Sequence, residues 1–219
     1  MSVAVKVWIT VLLAVLAGFT LLTLVKITRQ PQARPVGAPV TAAAEQPVVG
    51  GDQPLNLAAF QMTRQNGQPF SFAELEGQVW VASLFFSSCP HECRQLNEAI
   101  AALQRQPAFE GVRFVSISVD PAVDTPQRLN EYAQLFEADA DRWLFLNGKM
   151  ADVTRFGTDV GVTTGYKTHT RRLVLLDKTG KVRGHFGYKD GAAIQQMSEL
   201  AAQLVSGQEA TSPAPAKAS

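Results

Sequence analysis

Apolar residues crowd the first 25 positions and afterwards fall into short runs split by polar stretches. Val7 to Val25, VWITVLLAVLAGFTLLTLV, carries no charge; Lys6 precedes it, and Lys26 and Arg29 follow. At about 1.5 Å per residue it spans roughly 28 Å, close to the hydrocarbon thickness of a bilayer. A signal peptide has a shorter apolar core with its cleavage site close behind. Here the nearest cluster of small residues, Ala42 to Ala44, lies far downstream. Residues 1–29 are therefore predicted to be an N-terminal membrane anchor with a single transmembrane helix. Residues 30–54 are rich in Pro, Ala, Gly and Gln without apolar periodicity, as in a semi-extended tether. Residues 206–219 end in ATSPAPAKAS and are expected to form a disordered tail.

Residues 55–205 are expected to be the folded domain. VWVASLFF (79–86) is an almost continuous apolar run, as a buried central strand requires. Cys93, Leu96, Ile100 and Leu103 then recur at helical spacing. VRFVSISV (112–119) predicts a second strand. Leu129, Tyr132, Ala133 and Phe136 predict a second helix, with Thr125 as its N-cap and Pro126 at its first position. RLVLL (172–176) and KVRGHFGY (181–188) flank the turn Asp177–Gly180 and read as a hairpin. Ile194, Met197, Leu200, Ala201 and Leu204 mark a last amphipathic helix. A further hairpin, turning at Asn66-Gly67 between Phe60 and Phe70, is expected to precede the first central strand. Parallel strands joined by helical crossovers, followed by an antiparallel edge, make an α/β domain of thioredoxin-like arrangement: a central mixed sheet with flanking helices.

Composition adds two exclusions. The chain of 219 residues is 46% hydrophobic and 18% charged, with a formal net charge of +1. That balance does not suit a nucleic-acid binder working through phosphate neutralisation. No block of like charges suggests a polybasic or acidic tail.

The chemistry concentrates in SLFFSSCPHECRQLN (83–97), which holds both cysteines of the chain, Cys89 and Cys93. Three residues separate them, where a thioredoxin-type redox motif has two. With Pro90 in the first turn of a helix and Cys89 at or near its cap, both sulfurs can face one surface. That surface lies at a helix N-terminus, where orphan N–H groups stabilise negative charge. A structural disulfide, a redox dithiol and a shared soft metal ion such as Cu(I) all remain compatible with this spacing. A structural disulfide here would close a very short loop and constrain the unfolded chain little. Thioredoxin-like reductases carry a cis-proline before the strand facing the cysteines; here no proline occurs between Pro126 and Pro213. GYKTHTRRLVLL (165–176) instead puts His169 before that strand. Cys89, Cys93 and His169 can therefore form a three-coordinate site.

CPHEC (89–93), SVDPAVDTP (118–126) and His169 ahead of a strand together resemble the Sco/SenC family. These are membrane-tethered, thioredoxin-like copper proteins that assist assembly of the binuclear copper centre of cytochrome c oxidase. The resemblance covers about residues 55–205. It implies copper, as Cu(I) and also Cu(II), held by Cys89, Cys93 and His169. It also implies a copper-receiving oxidase subunit or another copper protein as partner. Two departures stand out: Arg94 where the family usually has Pro, and Thr168 where it usually has Asp. Losing that carboxylate leaves His169 without a customary acceptor for its second nitrogen.

Three other readings follow from the same residues. A thiol–disulfide reductase would use Cys89 and Cys93 as a redox dithiol on a copper-receiving partner. A peroxiredoxin-like peroxidase expects a proline shortly before its attacking cysteine, which FFSSC lacks. An interaction domain with a structural disulfide would use neither metal nor redox chemistry. The charges flanking the apolar segment do not decide orientation. The cysteine pair places the main domain on the non-cytoplasmic side, in a periplasm-like compartment.

Of the remaining candidates, His91 is expected to be solvated on the first helical turn and His185 to be a hydrogen-bonded structural histidine. Met150 is a soft donor, whereas Met197 belongs to a helical apolar stripe. Trp80 and Trp143 read as packing residues. Asp120 and Asp124 are expected in loop and helix-cap roles. Tyr166 and Arg171 flank His169 and can shape a docking surface.

Overall fold

The computed structural model describes residues 53–168 and 170–207, together with Ser2. The expected membrane helix, nearly all of the tether and tail, and His169 lie outside the described residues. Among the described residues no helix is long and apolar enough to cross a membrane.

Seven strands form one sheet: β1 (Gln61–Arg64), β2 (Pro69–Ser71), β3 (Val79–Phe85), β4 (Val112–Ser118), β5 (Trp143–Asn147), β6 (Arg172–Leu176) and β7 (Val182–Gly187). Their spatial order is β2-β1-β5-β4-β3-β6-β7. Strands β3, β4 and β5 run parallel; β1, β6 and β7 add antiparallel neighbours on either side. Every residue of β3 is buried, which requires cover on both faces of the sheet. Among the described residues four α-helices provide cover: α1 (Glu92–Leu103), α2 (Pro126–Gln134), α3 (Met150–Asp159) and α4 (Gly191–Ser206). The mixed α/β thioredoxin-like arrangement expected from the sequence is present.

Several local signals act as elementary physics predicts. Gly67 adopts φ +81° in the β1–β2 turn, a conformation open to glycine at little cost. The Thr125 side chain accepts the Arg128 N–H at 3.3 Å, capping α2 with Pro126 at its first position. Helix α4 ends on Gly207 in the left-handed region, one residue past Ser206, so it extends just beyond the expected domain limit. Leu96, Ile100 and Leu103 of α1 and Met197 and Leu200 of α4 are buried, as their spacing requires.

Besides three short 3-10 turns, strand β5 and helix α3 were not expected. Strand β5 is only five residues long, with four of them buried. Helix α3 buries Val153, Phe156 and Gly157. Both pack into an aromatic core. Phe156 meets Phe60 edge-on at 5.6 Å, and Trp143 stacks on Phe145 at 4.9 Å. Trp80 and Trp143 are fully buried, and the Trp143 Nε1–H donates to Ser116 Oγ at 2.9 Å. His185 is buried with Nε2 2.6 Å from the Val160 carbonyl, the structural role expected of it. Met150 opens α3 and is half-buried.

The β6–β7 turn carries a pH-sensitive element. Asp177 accepts from the Thr179 N–H (2.9 Å) and hydroxyl (2.7 Å), the Lys181 N–H (3.1 Å) and Arg183 Nη1 (3.3 Å). Burial raises its pKa, but these donors outweigh burial and hold the carboxyl below its ordinary value of 3.8. A carboxylate depressed on folding adds stability above its unfolded pKa, and that stability is lost as pH falls through the folded value. Asp177→Asn is therefore expected to be less stable than the parent at neutral pH. The difference in urea midpoint should shrink once pH drops below 3.8.

Candidate metal centre

The two sulfurs meet just past the C-terminal end of β3. The chain turns after Phe86, with the Cys89 N–H donating to the Phe86 carbonyl at 3.2 Å. Helix α1 begins at Glu92 with His91 as N-cap, later than expected; Pro90 stands before the helix, not in its first turn. His91 has no side-chain cap bond and is exposed. The capping acceptor is instead Cys89 Sγ, which takes the orphan N–H of Cys93 at 3.3 Å. The sulfur thus does what a Ser or Asp side chain does at an ordinary helix start.

Both cysteines are buried thiols, 5% and 3% exposed. A side-chain hydrogen bond joins the two sulfurs. Burial pushes the Cys93 thiol up to about 12, the neighbouring Cys89 adds to the rise, and a backbone hydrogen bond at Phe86 opposes it. Beneath them Asn97, fully buried, donates from Nδ2 to the Cys93 carbonyl at 2.8 Å and lies 3.5 Å from the Tyr132 hydroxyl. Tyr132 stacks on Phe85 at 5.4 Å. Burial raises the Tyr132 pKa far above its ordinary value, so its hydroxyl stays protonated.

Asp124 fastens the cysteine loop to the loop that follows β4. It is fully buried and accepts the Ser87 N–H at 3.1 Å, the Ser87 hydroxyl, and the Ser118 hydroxyl at 2.6 Å. Ser87 Oγ in turn accepts from Arg128 Nε at 2.8 Å. Neither Asp124 nor Asp120 caps a helix; Thr125 does, and both carboxylates serve loops. Asp124→Ala leaves buried donors without an acceptor, which costs about 1–3 kcal/mol for each such group. The variant is expected to unfold at lower urea than the parent, with Asp124→Asn in between.

The segment around His169 is tied to the same end of the sheet on both sides. The Lys167 N–H donates to the Val119 carbonyl at 3.2 Å, and Lys167 Nζ pairs with the buried Asp120 carboxylate at 3.3 Å. Lys167 adopts φ +53°. The neighbouring Tyr166 side chain and the buried Asp120 carboxylate raise its pKa, so it stays charged. Thr170 is buried, with its hydroxyl 3.4 Å from the carbonyl of Leu84 near the end of β3. Among the described residues, which omit His169, no three His, Cys, Asp or Glu side chains group so as to hold a metal ion.

Glu92 is a residue that sequence reasoning did not single out. It follows the N-cap of α1 and accepts the Tyr188 hydroxyl at 2.7 Å, Lys189 Nζ at 2.8 Å and Arg171 Nε at 3.4 Å. The hydrogen bonds from Lys189 and Tyr188 hold its carboxyl below the ordinary range. It staples the end of β7 and the approach to β6 onto the helix that bears Cys93. Only its place in the first helical turn hints at this. Its partner Tyr188 lies 96 residues away, beyond the reach of any local pattern.

A family profile described as SCO1/SenC matches residues 51–205. The chain belongs to the SCO1/SenC family. Against the SCO1 protein homologue of Bacillus subtilis, this SCO1/SenC chain is 35% identical over 106 residues. That match covers 45% of this chain and 55% of the relative, so it spans little more than half of the relative's length. The crystal structure of a SCO1/SenC family lipoprotein from Bacillus anthracis superposes with a TM-score of 0.63 at 30% identity, covering 73% of this chain and 98% of that one. The structure of Bradyrhizobium japonicum ScoI with copper bound gives a TM-score of 0.50 at 25% identity, covering 69% and 99%.

Proposed function

We propose that this SCO1/SenC protein is a membrane-tethered copper chaperone that holds Cu(I) through Cys89, Cys93 and His169. The ion is its cargo, passed on by ligand exchange to a copper-receiving subunit of cytochrome c oxidase or another copper protein. One observation carries the reading: two buried thiols in mutual hydrogen-bond contact at a helix N-terminus. Two thiolates select a soft ion, and an added imidazole also suits Cu(II). A family member with copper bound supports the choice of metal, and one that is a lipoprotein supports anchoring to a membrane. The apolar segment Val7–Val25 is the proposed anchor, with residues 30–54 as tether and the main domain on the non-cytoplasmic side.

The deciding experiment is an anaerobic Cu(I) titration of the reduced full chain, in neutral detergent, against a competing chelator. Wild type is compared with Cys89→Ala, Cys93→Ala and His169→Ala. Tight binding lost in all three variants is expected; equal, weak affinity across all four proteins would reject the chaperone reading.

The same sulfur contact favours a second reading, a thiol–disulfide reductase acting on the cysteines of a copper-receiving partner. Sulfurs already in contact need little movement to close a disulfide. Oxidation would remove both thiolates and with them the capacity for copper, so loading depends on redox state in either case.

A further inference from the structure

Strand directions bring four charged segments to one end of the molecule. Strands β3 and β4 run parallel, β6 opposes β3, and β7 opposes β6. The loops after β3 and β4, the approach to β6 and the exit of β7 therefore share the sulfur-bearing end. The charges there are layered. The carboxylates lie underneath: the Asp120 side chain is 0% exposed, Asp124 is fully buried, and the Glu92 side chain is 19% exposed. The cations lie outside: the Arg171, Lys189 and Lys167 side chains are 69%, 53% and 40% exposed, and Arg128 is exposed. Arg171 and Lys189 are held by Glu92, Lys167 by Asp120, and Arg128 by Ser87. Two exposed carboxylates flank these cations: Asp190, which follows Lys189 and caps α4, and Glu131, one helical turn from Arg128.

Apolar exposure converges on the same place. Among the described residues three large hydrophobic side chains are exposed, and two of them, Val123 and Tyr166, stand at this end. Tyr166 lies beside Lys167, whose ammonium is 5.2 Å from its ring. Aromatic anchors rimmed by fixed charge are the usual anatomy of a protein docking surface.

We infer that this end is a docking surface for a metal-exchanging protein whose own site is ringed by carboxylates. The inference rests on the copper reading and names the chemistry of the partner. The outward cations draw an acidic partner in and orient it over the sulfurs, while the hidden carboxylates fix the cations in place. The exchange is redox-neutral. Each acceptor thiol gives up its proton as its sulfur binds Cu(I), and each released protein thiolate takes a proton up.

The test uses two acceptor peptides with the same Cys-x-x-x-Cys core, one flanked by glutamates and one by lysines. Stopped-flow transfer from the Cu(I)-loaded full chain is expected to be about 10- to 1000-fold faster to the glutamate peptide at low salt, the range of electrostatic steering. The ratio should collapse near 1 M salt, where screening acts over about 3 Å. Arg171→Gln combined with Lys189→Gln should shrink the low-salt ratio. A ratio is insensitive to any uniform change in copper affinity that the substitutions bring. Equal rates to both peptides at low salt overturn the inference, whether or not this end binds phosphatidylglycerol vesicles. A failed chelator titration removes the copper reading itself; a normal titration with equal peptide rates removes only the docking surface.

Discussion

Cys93→Ala is expected to lower Cu(I) affinity by roughly 100-fold or more. Structural zinc sites give a scale: about 10–16 kcal/mol over four ligands, or roughly 3 kcal/mol for each. At about 1.4 kcal/mol per decade, one ligand is then worth roughly 100-fold. The same substitution removes one proton from the linkage. In the metal-free protein Cys93 is a thiol pushed up to about 12 by burial, so at neutral pH it must shed a proton when the ion binds. Proton release makes binding stronger as pH rises, by up to about tenfold per unit for each proton lost, and weaker as pH falls. Titrations from pH 6 to pH 8 in wild type and in Cys93→Ala would test this. The wild-type slope should exceed the variant slope by about one proton. Parallel slopes would mean that Cys93 does not lose a proton when the metal binds.

His169→Ala should separate the two readings of the site. If the imidazole is a ligand, removing it lowers Cu(I) affinity by roughly 100-fold on the same scale. Cys89 and Cys93 keep their contact and should form a disulfide with nearly the same midpoint in a glutathione redox titration. A variant that keeps full copper affinity would take His169 out of the site. One that loses both properties would show that the segment between Lys167 and Thr170 supports the sulfurs themselves. That segment is already pinned on both sides, through Lys167 to Val119 and through Thr170 to Leu84.

Much of this architecture is written in local patterns. Strand β3 reads as a continuous apolar run because both of its faces are covered. Cys93 falls on the buried stripe of α1, and its four-residue spacing from Cys89 brings both sulfurs to the start of that helix. Strand β5 is a different case: five residues, WLFLN, are too few for periodicity to separate strand from helix. Helix α3 is hard to read in the sequence although Val153, Phe156 and Val160 recur on one face, because Gly157 interrupts the stripe. Pro90 is a common first helical residue and points to an earlier start for α1 than Glu92, whereas a sulfur acting as the cap leaves no signature in sequence. The carboxylates under the site are a third case. Asp124 with Ser87, and Glu92 with Tyr188 and Lys189, join residues 37 to 97 positions apart, so only the folded chain makes them partners.

X-ray absorption at the copper edge of the Cu(I)-loaded full chain, wild type beside His169→Ala, asks most directly what surrounds the ion. Two sulfurs and one imidazole nitrogen in wild type, with the nitrogen lost in the variant, is the predicted result. Identical spectra with sulfur alone in both proteins would contradict the three-ligand account and leave a buried dithiol as the whole of the site.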